Sequence, residues 1–225
     1  QVVCLQFNSA LRRLTAEEFV SRVLVNGLST RYLIVGDDFR FGCDRSGDFA
    51  MLRKAGEHHD FEVQDTDTLE VDGQRVSSTL VRQVLSQSDF EGARLLLGRP
   101  FTIKGCVVYG QQLGKKLGFP TANVQLNRYS APISGVFAVL VTIGGDIYQG
   151  AANVGIRPTV GGLVKPILEV HLLDFDGDLY GQRIAVEFVH KIRDEEKFTG
   201  LDELIATIQG DVEVIRQWFT NNNLR

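Results

Sequence analysis

The chain has little from which to build a disulfide framework. Cys4, Cys43 and Cys106 are odd in number, far apart and without a Cys-x-x-Cys pair. That usage argues against a cystine scaffold or a zinc site, and fits a reducing, cytoplasmic compartment. Long hydrophobic runs are also missing. No apolar stretch approaches the ~18 to 20 residues that span a bilayer, so no membrane partner is expected. Positive charge is not in excess either. With 24 Lys and Arg against 28 Asp and Glu, the formal net charge is -4 and no basic face for nucleic-acid phosphates is evident. Internal repeats and low-complexity segments are absent. There is no initiator methionine, and the opening run Val2-Val3-Cys4-Leu5-Gln6-Phe7 reads as the interior of a longer protein.

What is present suits one large domain or two modest ones, each with its own core, because 225 residues are enough for either. Hydrophobic content of 44% and charged content of 23% are ordinary for globular protein. Residues 1–97 alternate short apolar strands with amphipathic helices. Thr15-Ala16-Glu17-Glu18 is a capping box opening a helix with Phe19, Val20, Val23 and Leu24 on one face. Tyr32-Leu33-Ile34-Val35 reads as a buried strand ended by Gly36. A helix is expected from Asp48 to Glu57 and a strand near Phe61-Glu62-Val63. That order predicts an α/β sheet with parallel strands, whose ligands bind beyond the strand carboxyl ends. Ser77-Ser78-Thr79 opens a further helix, and another runs from Asp89 to Leu97. Gly98-Arg99-Pro100 then punctuates the chain and sets a domain boundary between residues 97 and 98.

Beyond the boundary the texture changes. Phe101 to Val108, Val136 to Ile143, Ile147 to Ala152, Ile167 to Leu173 and Arg183 to Val189 read as strands. Tight turns such as Gly144-Gly145-Asp146 separate them, and together they predict an antiparallel barrel. One helix closes the chain, with Thr199 as its expected cap and a continuous apolar stripe from Leu201 to Phe219.

The segment from Tyr109 to Asn123 carries the most chemistry. Gly110, Gly114 and Gly118 stand four apart around Lys115 and Lys116, and lead into Pro120-Thr121-Ala122-Asn123, read as a turn. Backbone N–H groups freed of side chains cradle phosphate, and lysine adds positive charge. The oxygens of Thr121 and Asn123 are hard, neutral donors suited to magnesium. The Walker A pattern G-x-x-x-x-G-K-[ST] fails here, since Lys115 is followed by Lys116 and the glycines are one residue too close. A basic loop between strands is the bland alternative.

Strand alternation puts Glu169 and His171 on the face opposite Leu168, Val170 and Leu172. Glu169 reads either as part of a solvated sheet face or as a general base; Glu187 alternates in the same way, and spacing does not separate them. Asn153 to Thr159 reads as a polar turn with one cation, Arg157. Arg193-Asp194-Glu195-Glu196-Lys197-Phe198 reads either as a solvated charge run before the last helix or as a segment whose Arg193 and Phe198 hold an anionic aromatic ligand. Gly36-Asp37-Asp38-Phe39-Arg40-Phe41-Gly42 gathers carboxylates, aromatics and glycines at a strand end. Ser77-Ser78-Thr79 with Arg82 offers either an anion site or an ordinary N-cap.

Taken together, these segments resemble the bifunctional bacterial FAD synthetases, which join an FMN adenylyltransferase module to a riboflavin kinase module. The likeness runs almost end to end. It rests on Gly36 to Gly42, Val76 to Arg82, Gly98-Arg99-Pro100, Gly118 to Asn123, Asn153 to Thr159 and Leu168 to Phe175. It implies a partial Rossmann-like α/β nucleotidyltransferase module over residues 1–97 and an antiparallel β-barrel kinase with a C-terminal helix over 98–225. By resemblance, Thr121 and Asn123 hold the Mg2+ of ATP and Glu169 is the base for the riboflavin hydroxyl. The segment Gly110, Gly114, Lys115 and Gly118 covers the ATP phosphates, and Tyr180 lies near the nucleotide. Arg193 and Phe198 lie over the flavin. Ser77, Ser78, Thr79 and Arg82 belong to a second ATP site, and Asp38 and Phe41 to a flavin or nucleotide pocket. The implied substrates are ATP, riboflavin and FMN. The family's first nucleotide-binding strand and its His-x-Gly-His motif have no counterpart in the chain. Kinase activity is therefore expected, with little or no adenylyltransferase activity. A non-catalytic flavin- or nucleotide-binding barrel is the alternative.

Overall fold

The computed structural model describes residues 2–36, 38–110, 112, 114, 117–126, 130–158 and 164–223. They form two compact units, Gln1–Glu70 and Val71–Arg225.

The first unit opens with α1 (Ser9–Arg12) and α2 (Ala16–Phe19). The capping box at α2 is complete. Thr15 Oγ1 accepts from the Glu18 N–H, and Glu18 Oε2 accepts from the Thr15 N–H, both at 3.1 Å. The helix then widens into a π-helical turn at Val20–Val25. Strands β1 (Tyr32–Gly36) and β2 (Glu62–Thr66) pair in parallel, with α3 (Phe49–His59) between them in sequence. A parallel pair needs such a crossover, which the alternating pattern required. Ala16, Val20, Leu24, Phe41, Leu52 and Phe61 form the core of this unit. A short hairpin, β3 (Glu70–Val71) and β4 (Gln74–Arg75), turns at Asp72-Gly73. Both turn residues have positive φ, 51° and 72°, as a type I′ turn demands.

The second unit begins with α4 (Ser78–Ser86) and α5 (Phe90–Leu97), capped by Ser77 and Asp89. Six strands follow: β5 (Thr102–Val108), β6 (Ala122–Val124), β7 (Gly135–Ile143), β8 (Asp146–Pro158), β9 (Val164–Leu172) and β10 (Arg183–Arg193). They close in the order β10-β5-β6-β9-β8-β7 with every pair antiparallel. Phe137, Val139, Val141, Leu168, Val170, Val186 and Phe188 fill the interior. Leu85, Phe90 and Ala93 are buried in that same core. The Phe90 ring lies 5.8 Å from that of Phe137 and 6.1 Å from that of Phe188. By packing, then, α4 and α5 go with the barrel, and the compact units divide at Glu70/Val71, upstream of the sequence boundary at 97/98.

The chain ends in α6 (Leu201–Asn221), which lies on the outer surface of the barrel. Ile215 and Phe219 bury there against Ala138 and Leu173. With its outer face covered, β7 is buried on both sides over Val136–Val139, which is why Val136–Val141 reads as an unbroken apolar run; Thr142 beyond it is exposed.

Four local expectations are corrected. Strand β1 forms as expected but is not buried, since Tyr32 and Ile34 are exposed. Pro120-Thr121-Ala122-Asn123 is not a turn: Ala122–Val124 is strand β6, which joins β5 to β9 and closes the barrel. Asn153 to Pro158 is not a turn either, because β8 runs on through it in register with β9; Thr159 falls outside the described residues. Thr199 does not cap α6. Gly200 holds the cap position, while the Thr199 N–H and Oγ1–H both donate to Glu203 Oε2 at 2.9 and 2.8 Å.

Candidate active site

Strand register assembles the site. Asn123 on β6 stands opposite Glu169 on β9, Glu169 opposite Asn153 on β8, Asn153 opposite Val136 on β7, and Val136 opposite Arg193 on β10. Directly opposed residues of an antiparallel ladder share a face. These five side chains, spread over 71 residues of sequence, therefore form one rung on the outside of the barrel. A register shift between Lys191 and Arg193 is what puts Arg193, and not Ile192, opposite Val136. Re-aiming a side chain beside a site is a common use of such a bulge.

Between this rung and α6 lies a cavity of about 250 Å3. Its barrel side is made by Val136, Asn153, Glu169 and His171, and its helix side by Leu204, Ile208, Asp211 and Val212. The predicted residues Gly114, Thr121, Glu169, Arg193 and Phe198 all border it. Glu187 does not. It faces Leu140 and Thr102 elsewhere on the barrel, and burial pushes its carboxyl up. Of the two glutamates that the pattern leaves unseparated, only Glu169 lines the cavity beneath α6.

The glycine segment folds close to the rung. The Gly114 carbonyl accepts from the N–H groups of Leu117 and Phe119 at 3.1 and 2.8 Å, and Gly118 makes the reversal with φ 88°. A side chain at Gly114 would meet the Phe119 carbonyl and Thr121 Oγ1; one at Gly110 would meet the Asn123 carboxamide. Both oxygen-bearing side chains therefore lie directly against glycine backbone, with Thr121 two residues before Asn123. Lys115 lies outside the described residues. Tyr180 stacks on Tyr109 with ring centroids 3.9 Å apart, and its hydroxyl accepts from Gln112 Nε2 at 3.3 Å, beside the segment. Among the described residues no three His, Cys, Asp or Glu side chains cluster to hold a metal.

Arg193 is tied into a network. Nε and Nη2 donate to the Asp211 carboxylate at 2.8 to 3.1 Å, Nη1 donates to the Asp194 carbonyl at 2.9 Å, and the guanidinium sits 5.7 Å from the Phe198 ring centroid. Hydrogen bonding to Asp211 raises its pKa further. Glu195 lies against the backbone of Gly155, and burial pushes its carboxyl up.

The other candidates are not among the residues that line this cavity. Ser77 Oγ accepts from the Leu80 N–H at 3.1 Å as an N-cap, with Ser78 and Thr79 following in the first turn of α4. Arg82 Nη1 folds back to donate to the Ser78 carbonyl at 3.2 Å. In the first unit Asp38 lies against Gly36 at the end of β1. Phe41 is 6% exposed, with Phe19 and Phe39 around it, and borders a second cavity with Arg12, Arg13 and Arg45.

Two residues at the first cavity had no assigned role in the sequence reading. His171 points Nδ1 at the Pro120 carbonyl, 2.9 Å away, and Phe119 packs edge-on to its ring at 5.7 Å. Since a carbonyl only accepts, Nδ1 carries the proton, and β9 is tied to the residue before Thr121. Asp211 did leave a sequence signal: it is a carboxylate at helical spacing from Leu204, Ile208 and Ile215, on an otherwise apolar stripe.

The riboflavin kinase family model matches residues 97–219, and the FAD synthetase model matches residues 1–80. The chain is 53% identical over 216 residues to a bifunctional riboflavin kinase/FMN adenylyltransferase of Pseudomonas fluorescens, covering 96% of the chain and 70% of that protein. It is 44% identical over 221 residues to the Haemophilus influenzae protein of the same description, covering 98% and 71%. A crystal structure described as a macrolide-efflux protein from Streptococcus pneumoniae superposes with TM-score 0.68 at 33% identity, over 95% of this chain and 68% of that one. No helix among the described residues is long and apolar enough to cross a membrane. With these relatives and this barrel, the chain belongs to the bifunctional riboflavin kinase/FMN adenylyltransferase family, enzymes of flavin cofactor biosynthesis.

Proposed function

We propose that the β-barrel with α6, within residues 98–225, transfers the γ-phosphoryl group of ATP to the 5′-hydroxyl of riboflavin, giving FMN and ADP. The observation that carries this reading is the rung on the outer barrel face. It presents Glu169 as its one carboxylate, between two asparagines and beneath a cavity walled by apolar side chains. Glu169 accepts the hydroxyl proton as that oxygen bonds to the γ-phosphorus and the bond to the β–γ bridging oxygen breaks. Thr121 and Asn123 would hold the magnesium ion that travels with ATP. Their neutral oxygens suit it, and both lie against the glycine segment. When bound, the ion neutralises triphosphate charge. The N–H groups of Gly110, Gly114 and Gly118, with Lys115, cradle the phosphates, and Tyr180 lies beside them near the nucleotide. Phe198, Leu204, Ile208 and Val212 offer the flat apolar wall that an isoalloxazine ring requires, with Arg193 at its border.

We assign residues 98–225 as the riboflavin kinase module and residues 1–97 as the C-terminal part of the FMN adenylyltransferase module. In the full protein FMN is carried on to FAD in the cytoplasm. Phe41 beside three arginines suits a phosphorylated aromatic ligand, with Asp38 nearby in sequence. Ser77, Ser78, Thr79 and Arg82 form the phosphate contact of that second reaction.

Glu169→Gln keeps the side-chain shape and removes the base. FMN formation should fall by about 10²- to 10⁴-fold while riboflavin binding, read by quenching of flavin fluorescence, stays nearly unchanged. Wild-type turnover in the Gln variant refutes Glu169 as base. Riboflavin binding without any turnover in the wild-type protein would instead support a barrel that only holds its ligand.

A further inference from the structure

Among the cavity side chains to which phosphoryl transfer gives no role is a carboxylate on the helix side. Asp211 sits on α6 with Leu204, Ile208 and Val212 around it, and its side chain is 12% exposed. A carboxylate this far from water requires a partner. Arg193, 19% exposed, supplies it with a two-pronged hydrogen bond. The remaining edge of the guanidinium is spent on the Asp194 carbonyl, and its carbon lies over the Phe198 ring. Arg193 is thus not a loose cation waiting for a ligand. It is a joint that fastens the end of β10, the middle of α6 and the start of the 194–198 segment. Two of that segment's side chains besides Phe198, those of Glu195 and Glu196, also border the cavity.

We infer that Asp211 is a positioning residue for flavin binding: through Arg193 it holds the 194–198 segment, and Phe198 with it, as one wall of the cavity. This rests on the riboflavin-binding role proposed above. A second Arg–Asp pair allows that role to be told from mere stapling of the helix. Arg216 also ties α6 to the barrel, donating to both Asp174 oxygens at 2.6 and 2.7 Å, but neither residue borders the cavity. A purely structural role for Asp211 would be mimicked by breaking that pair; a positioning role would not.

The test uses the full chain. Asp211→Asn should raise the riboflavin KM and Kd about tenfold or more while kcat stays within about threefold. Amide hydrogen exchange over 195–198 should quicken in the ligand-free protein. Asp211→Glu should restore part of the affinity, and the double variant Arg193→Ala with Asp211→Asn should be no worse than Arg193→Ala alone. Arg216→Ala should lower the thermal midpoint and leave the riboflavin KM unchanged. Wild-type affinity and exchange in Asp211→Asn overturns the inference, and so does an equal rise of KM in Arg216→Ala. If the wild-type protein binds no riboflavin at all, the proposed function fails and the inference fails with it. If the wild type binds and Asp211→Asn matches it, the inference alone fails.

Discussion

Gly110→Ala puts the smallest possible side chain where the structure leaves no room for one. The added Cβ would lie 2.5 Å from Asn123 Oδ1, and Cγ and Nδ2 of the same carboxamide are equally crowded. Ordinary contact begins near 3.4 Å, so the Asn123 side chain must withdraw by roughly 1 Å, a displacement that at a reacting centre costs about 10²-fold in rate. The conflict is with a side chain, which rotates away more easily than backbone moves. The loss should therefore appear in catalysis, with the barrel left intact. Steady-state FMN formation at varied ATP and riboflavin should show kcat/KM down about 100-fold, or about 2.7 kcal/mol of transition-state stabilisation. The thermal midpoint should barely change. Gly118→Ala is the comparison, because nothing lies within 4 Å of a Cβ there and its only penalty is the backbone φ of 88°. Activity of Gly110→Ala within threefold of wild type would refute the placement of Asn123 in the site.

Two further outcomes concern stability. Burial holds the Glu187 pKa above its ordinary value, so the folded state binds protons more tightly than the unfolded chain and stability falls as pH rises through the raised pKa. Glu187→Gln should thus raise the thermal midpoint relative to wild type at neutral pH and give no such gain near about pH 3; a gain equal at all pH values contradicts this. Phe90→Ala removes a ring packed against Phe101, Phe137 and Phe188 and should cost about 3 kcal/mol in the denaturation of the barrel unit. A loss confined to the Gln1–Glu70 unit would contradict the packing of α5 on the barrel.

Most elements were readable because local signals agreed with the tertiary result. The capping box at Thr15, the apolar alternation of Leu168 to Leu172 and the Gly98 helix stop all hold in the structure. What was not readable depends on partners far away in sequence. Ala122–Val124 is three residues long and follows a proline, so only its pairing with β5 and β9 marks it as a strand. The apolar stripe of α5 announces burial but not against what, and the structure supplies the barrel aromatics. Likewise Thr199 has the chemistry of an N-cap, yet it lies one residue too early and Glu203 takes its donors. At the site, Glu169 and Glu187 carry the same alternation, and only the seat of α6 tells them apart. The rung itself joins Asn123 to Arg193 across five strands, and its last member is aimed by a bulge that no periodicity reveals.

A barrel that carries out phosphoryl transfer to a flavin must move the terminal phosphate of ATP onto riboflavin. ATP labelled in the γ-phosphate, incubated with the chain, riboflavin and magnesium, tests it most directly. The label should appear on the flavin as FMN in proportion to the ADP formed. Label released as inorganic phosphate, or retained in ATP while riboflavin is bound, would contradict it.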